Sequence, residues 1–173
     1  LYPLLITPFV FVGFPVGIFI LNWFFRAFLV IMTYRLALKV GDNKKYAFCV
    51  SLFFALEPYH LVITNAITPE TVFTTFIVGY IFVILRYVKR PTTTTVVLAS
   101  FLLGLSILTR PVSQFFLPLH LLLIAVIERK SVKRLLWHAL LFTVVIFALL
   151  APWLMRNHRL YNAWSLSSLP SIQ

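Results

Sequence analysis

"VGIFILNWFFRAFLVIMTYRLAL", residues 16–38, is read as a membrane-crossing helix. Roughly 20 apolar residues at the helical rise cover the hydrocarbon core of a bilayer, and this run is that long. Comparable runs recur at residues 46–63, 71–87, 93–108, 112–127 and 135–154. The composition agrees: 61% of the 173 residues are hydrophobic and 11% charged, with a mean hydropathy of +0.99. A soluble domain carries roughly 25% charged residues. The expected fold is therefore all-α, a polytopic transmembrane helical bundle of about six spanning helices forming one membrane domain over residues 1–173. Residues 1–13, "LYPLLITPFVFVG", hold Pro3 and Pro8 and are too short to cross, so an interfacial or re-entrant segment is expected before the helices of residues 16–154.

The formal charge of +11 does not point to nucleic acid, because the basic residues fall in short clusters between apolar runs. One set of connections holds Arg35, Lys39, Lys44 and Lys45, then Arg86, Lys89 and Arg90, then Arg129, Lys130, Lys133 and Arg134. The alternate connections and the tail hold only Arg26, Arg110, Arg156 and Arg159. Basic loops stay on the cytoplasmic side, which leaves the sparse connections and residues 155–173 extracytoplasmic. Every outward basic residue is thus an arginine. Tyr34, Tyr46, Tyr87, Trp137, Tyr59, Trp153, Tyr161 and Trp164 fall near the ends of the runs and read as interfacial aromatic belts. Cys49, the single cysteine, reads as a buried apolar thiol, and "PTTTT" at 91–95 as a capped helix start.

Topology accounts for the inner charges and leaves the outer ones open. In "LEPYHLVITNAITPETVF", residues 56–73, Thr68, Pro69 and Glu70 can open a helix as cap, first residue and first-turn acid. Alternatively Glu70 or Glu57 supplies a carboxylate to a site on the outer face, with His60 as a proton carrier. Arg110, set against Pro111 in "ILTRPV", either snorkels to lipid headgroups or holds a guanidinium for bidentate phosphate contact. In "APWLMRNHRLYNAWSLSS", residues 151–168, Pro152 and Trp153 are expected to close the last helix. Arg156 and Asn157 then either anchor at the interface or line a headgroup site. No phosphate-cradling Gly-Lys-Ser loop, zinc-spaced His/Glu cluster or Gly-x-Ser-x-Gly elbow occurs, so no metal ligands are assigned and no cofactor is implied; a divalent ion is neither required nor excluded.

"LYPLL", "LNWFFRAFLVIMTYRLA", "TPETVF", "GLSILTRP" and "APWLMRN" follow one another in an order and spacing that resembles membrane glycosyltransferases of the GT-C fold. The likeness is to the family 39, protein-mannosyltransferase-like group, which includes the aminoarabinose lipid A transferases. The resemblance implies a multi-pass enzyme of the cell (inner) membrane. It would take a sugar from a polyprenyl-phosphate donor and pass it to a glycan, lipid or protein acceptor on the extracytoplasmic face. It implies an acidic general base in the first extracytoplasmic loop, yet no Asp or Glu precedes Asp42. That base is expected upstream of Leu1, in a longer polypeptide of which this chain is an internal fragment. Arg110 and then Arg156 are the residues expected to stabilise charge on the departing phosphate, with Glu70, Glu57, His60 and Asn157 around the substrate. A secondary transporter or lipid flippase, or a non-catalytic membrane subunit, is the alternative. Charges and prolines grouped at helix ends, instead of near the midplane, speak against the transporter.

Overall fold

The computed structural model describes residues 1–166. Among them every regular element is helical, and the chain divides into two compact units, Leu1–Phe82 and a second from Val83 onward.

The first unit holds α1 (Tyr2–Phe11), α2 (Val16–Gly41), α3 (Lys44–Leu56), α4 (Pro58–Thr64) and most of α5 (Glu70–Lys89). α2 stops because Asp42 adopts the left-handed conformation (φ 47°), its N–H returning to Leu38 O at 2.9 Å. Asn43 then starts α3 at once, its side chain accepting from the amides of Lys45 and Tyr46. That two-residue reversal packs α3 back along α2. α1 folds onto the start of α2 at Gly17, where a β-carbon would lie 2.2 Å from the Phe9 ring, so only glycine admits the contact.

The second unit holds the end of α5, α6 (Thr93–Thr109), a 3₁₀ turn (Pro111–Phe115), α7 (Phe116–Ile127) and α8 (Val132–Tyr161). The Thr-rich start behaves as read: Thr92 caps α6 in a reciprocal box with Thr95. α6 lies against α8 with Gly104 opposite Leu149 and Ile146, and its small residues Ala99 and Ser100 are buried as well. Close backbone approach through small residues is how helices associate where no water drives them together. On α8 the buried stripe is His138, Phe142, Ile146 and Leu150, while Leu140, Val144 and Phe147 stay exposed, as a lipid-facing surface requires.

By length and apolarity α2, α5 and α8 can cross a membrane. α3 and α4 add a fourth span if counted as one helix bent by 55°; α1, α6 and the 3₁₀–α7 segment are apolar but shorter. All six runs are thus helical, and the opening segment is the short helix α1 with Pro8 inside.

Three expectations are corrected. Pro152 does not close the last helix; it sits inside α8, which runs on to Tyr161, so the expected tail begins helical. A proline removes one N–H, and in an apolar bundle neighbouring groups absorb that loss. Cys49 is exposed on α3, because the buried face of that helix is taken by Ala47 and Ser51. Tyr87 is no belt residue: it is fully buried, its hydroxyl 3.0 Å from His138 Nδ1.

Candidate functional site

In the first unit, the polar residues Glu57 and His60 meet where α3 breaks into α4. Glu57 has left α3 (φ −63°, ψ 120°) and caps α4, its carboxylate accepting from the amides of Tyr59 at 3.1 Å and His60 at 2.8 Å. The same carboxylate lies 2.7 Å from His60 Nδ1. An ionised carboxylate only accepts, so the proton of this bond sits on Nδ1, which leaves Nε2 as the ring nitrogen turned away from Glu57. The sequence placed Glu57 and His60 three residues apart; the cap makes them a pair.

Below that break stands a residue expected in a loop. Arg26 lies in the body of α2 and is 2% exposed. Its Nη2 donates to Phe54 O at 2.6 Å and Ala55 O at 3.2 Å, and its guanidinium sits 4.5 Å from the centroid of the Phe54 ring. Helix ends leave carbonyls unmet, and a cation is the favoured partner for them. One turn earlier Asn22, fully buried, donates to Ala66 O at 3.0 Å and Thr64 O at 3.4 Å and contacts the Tyr2 hydroxyl. Trp23 Nε1 donates to Asn65 Oδ1 at 3.1 Å. These bonds fasten the end of α4 to α2. Burial pushes the Tyr2 phenol above its ordinary value, the Asn22 bond works against this, and the charge of Glu70 adds to it.

Glu70 opens α5, in its first turn as read. Thr68 does not cap that helix: its hydroxyl donates to Ile63 O at 3.5 Å, and the first turn closes from Phe73 N to Pro69 O. The Thr68 side chain is drawn to the end of α4, which its own loop has brought close.

In the second unit, Arg110 is the terminal cap of α6, its N–H bonded to Ser106 O at 2.8 Å, and Pro111 starts the 3₁₀ turn directly. The residue as a whole is exposed. Arg156 is exposed on the last turns of α8, 4.9 Å over the Trp153 ring, and donates to Asn157 Oδ1 at 3.2 Å. Asn157 is buried and donates to Ser165 O at 2.7 Å, while Trp153 Nε1 donates to Leu166 O and His158 stacks on Trp164 at 4.3 Å. Residues 162–166 therefore hook back over the end of α8, beginning at Asn162, which is left-handed (φ 52°). The rest of the expected tail lies outside the described residues.

α6 and α8 run in the same direction: Tyr87, just before α6, meets His138 near the start of α8, and Gly104 and Leu149 meet further along each helix. From the Gly104–Leu149 contact, six and seven residues onward reach Arg110 and Arg156, an advance of about 9 and 10 Å respectively at the helical rise. The two arginines share one end of this helix pair. Residues 15–155 match the family model for dolichyl-phosphate-mannose-protein mannosyltransferases. The chain belongs to that family. No curated protein and no solved structure matches it. It is thus a mannosyltransferase-like membrane glycosyltransferase of the GT-C type.

Membership of the mannosyltransferase family sharpens what the sequence missed. Arg26 and Asn22 look like interruptions of an apolar run, and only the fold shows them as the fasteners of the α3–α4 break. Glu128 was read as a loop acid and is 2% exposed, lying 3.1 Å from His138 Nδ1 and 3.5 Å from Arg134 Nε. Groups of three or more His, Cys, Asp or Glu suited to a metal do not occur among the described residues. A hollow of about 570 Å³ is lined by Tyr34, Lys44, Lys45, Phe48 and Cys49 and includes none of the site residues.

Proposed function

We propose that this protein transfers a sugar from a polyprenyl-phosphate carrier to an acceptor on the extracytoplasmic side of the membrane, with Arg110 and Arg156 holding the phosphate. The observation that carries the reading is their common position at one end of the α6–α8 pair, each exposed. Arg110 has its backbone fixed between the α6 terminus and Pro111. Arg156 is braced by Trp153 and Asn157. A guanidinium fixed before the reaction needs no reorganisation when charge develops on the departing phosphate, so it favours the transition state. Displacement forms the bond from the acceptor oxygen to the anomeric carbon and breaks the bond from that carbon to the phosphate oxygen. The acceptor's proton goes to an acidic base, and the carrier leaves as the polyprenyl phosphate. Glu70 and Glu57 are the acids proposed for the sugar, and the apolar helices accommodate the isoprenoid.

The family description and the scarcity of other basic residues beyond the inner clusters support this over transport or a scaffold role. In the full-length protein, Arg110→Ala lowers sugar transfer from a polyprenyl-phosphate donor by about 10- to 100-fold, the cost of one charge-assisted contact. Membrane insertion is unchanged. A wild-type transfer rate in that variant refutes the phosphate role.

A further inference from the structure

Arg26 does more than its hydrogen bonds account for. Taking a guanidinium out of water is costly. The two carbonyls it satisfies need only a neutral amide. Yet Arg26 is kept, with Nε and Nη1 buried and donating to no group among the described residues. Ionisable groups retained at such cost within apolar helices mark function.

Its contacts show where that function lies. Arg26 holds Phe54 twice, by the carbonyl and by the ring face. The Phe54 ring meets the His60 ring at 5.1 Å, and His60 is held by Glu57 at 2.7 Å. Glu57 in turn supplies an attractive charge to Arg26. These four residues form one connected set built from α2, the end of α3 and the start of α4. The chemistry it presents is an imidazole with its Nδ1 proton committed to a carboxylate, its side chain 28% exposed and Nε2 outside every hydrogen bond of the residue. A carboxylate on Nδ1–H fixes the tautomer and the orientation of the ring.

We infer that the α3–α4 break is an acceptor-binding site, in which His60 Nε2 accepts the hydrogen bond of an acceptor hydroxyl and Arg26 is the positioning residue that sets the imidazole. The inference rests on the proposed transfer reaction for the identity of the ligand. The positioning role of Arg26 stands without it.

The experiment has two arms on the full-length protein in lipid nanodiscs. In the first, acylation of His60 by diethyl pyrocarbonate is timed by mass spectrometry. Glu57→Gln and Arg26→Met slow it several-fold relative to the wild type, and Arg26→Lys restores part of the rate. Loss of fold would do the reverse, because an unpacked histidine reacts faster. An unchanged or faster rate in Arg26→Met overturns the positioning role. In the second arm, with polyprenyl-phosphate-linked mannose and a serine/threonine peptide, His60→Phe and Arg26→Met raise the peptide KM about tenfold and leave the donor KM unchanged. A rise in donor KM, or a wild-type peptide KM, overturns the acceptor site. A wild-type protein that transfers no sugar from any polyprenyl-phosphate donor defeats the proposed reaction, and the acceptor site with it. The acylation series still decides Arg26.

Discussion

Glu128, His138 and Tyr87 are each at most 3% exposed and satisfy one another, with Arg134 reaching in from a half-exposed position. Such a network tolerates the loss of a member badly, since the remaining partners stay buried without theirs. Glu128→Leu should therefore destabilise the detergent-solubilised protein by about 1–3 kcal/mol, read as a lowered thermal midpoint. Lys133→Ala, which removes an exposed side chain on the first turn of α8, should shift the midpoint far less; equal shifts would show that the network contributes nothing. Residues of this kind resist reading from sequence. Glu128 stands beside Arg129 and Lys130 and looks like one more loop charge, while the tyrosine and histidine that enclose it lie 41 residues before and ten after. Arg110 was legible for the opposite reason: its constraint, Pro111, is its neighbour.

Elements follow local chemistry where capping decides and depart from it where packing does. The α6 start and the α2–α3 reversal were written in Thr92, Thr95, Asp42 and Asn43, whose partners lie within four residues. The end of α8 was not. Proline predicts a stop, but the hook of residues 162–166 on Trp153 and Asn157 keeps two further turns of helix in place past Pro152. The α6–α8 contact likewise hangs on a residue whose importance no local pattern shows. A β-carbon on Gly104 would lie 2.6 Å from Leu149 Cδ1. Gly104→Leu should force the helices apart and cost about 1–3 kcal/mol. Leu149→Ala in the same chain should recover part of that loss, because the clash is with this one side chain. A Gly104→Leu protein as stable as the wild type would mean that α6 and α8 do not pack here.

At the scale of the whole chain, charge counting gives an expected orientation, and the fold chooses the positions that can test it. A substitution at Asn157 would be uninformative, since that side chain is buried and bonded to Ser165 O. Asn43 and Asn65 carry a helix cap and the Trp23 bond. Exposed neighbours serve instead: Ile67 and Ala163 for the sparse connections, Lys44 for the basic ones. Native Cys49 is exposed and six residues into α3 from the Asn43 cap, so it must first be replaced by serine. In that background, Ile67→Cys and Ala163→Cys should react with a membrane-impermeant maleimide applied to intact cells, and Lys44→Cys only after permeabilisation. The three basic clusters then face the cytoplasm, while Arg110, Arg156 and the Glu57–His60 pair face outward. The reverse pattern would put those groups on the side of the cytoplasm, and with it remove the extracytoplasmic reaction. Labelling of Ile67→Cys without Ala163→Cys would instead refute the outward assignment of the Arg156 end alone, and with it the phosphate role of that arginine.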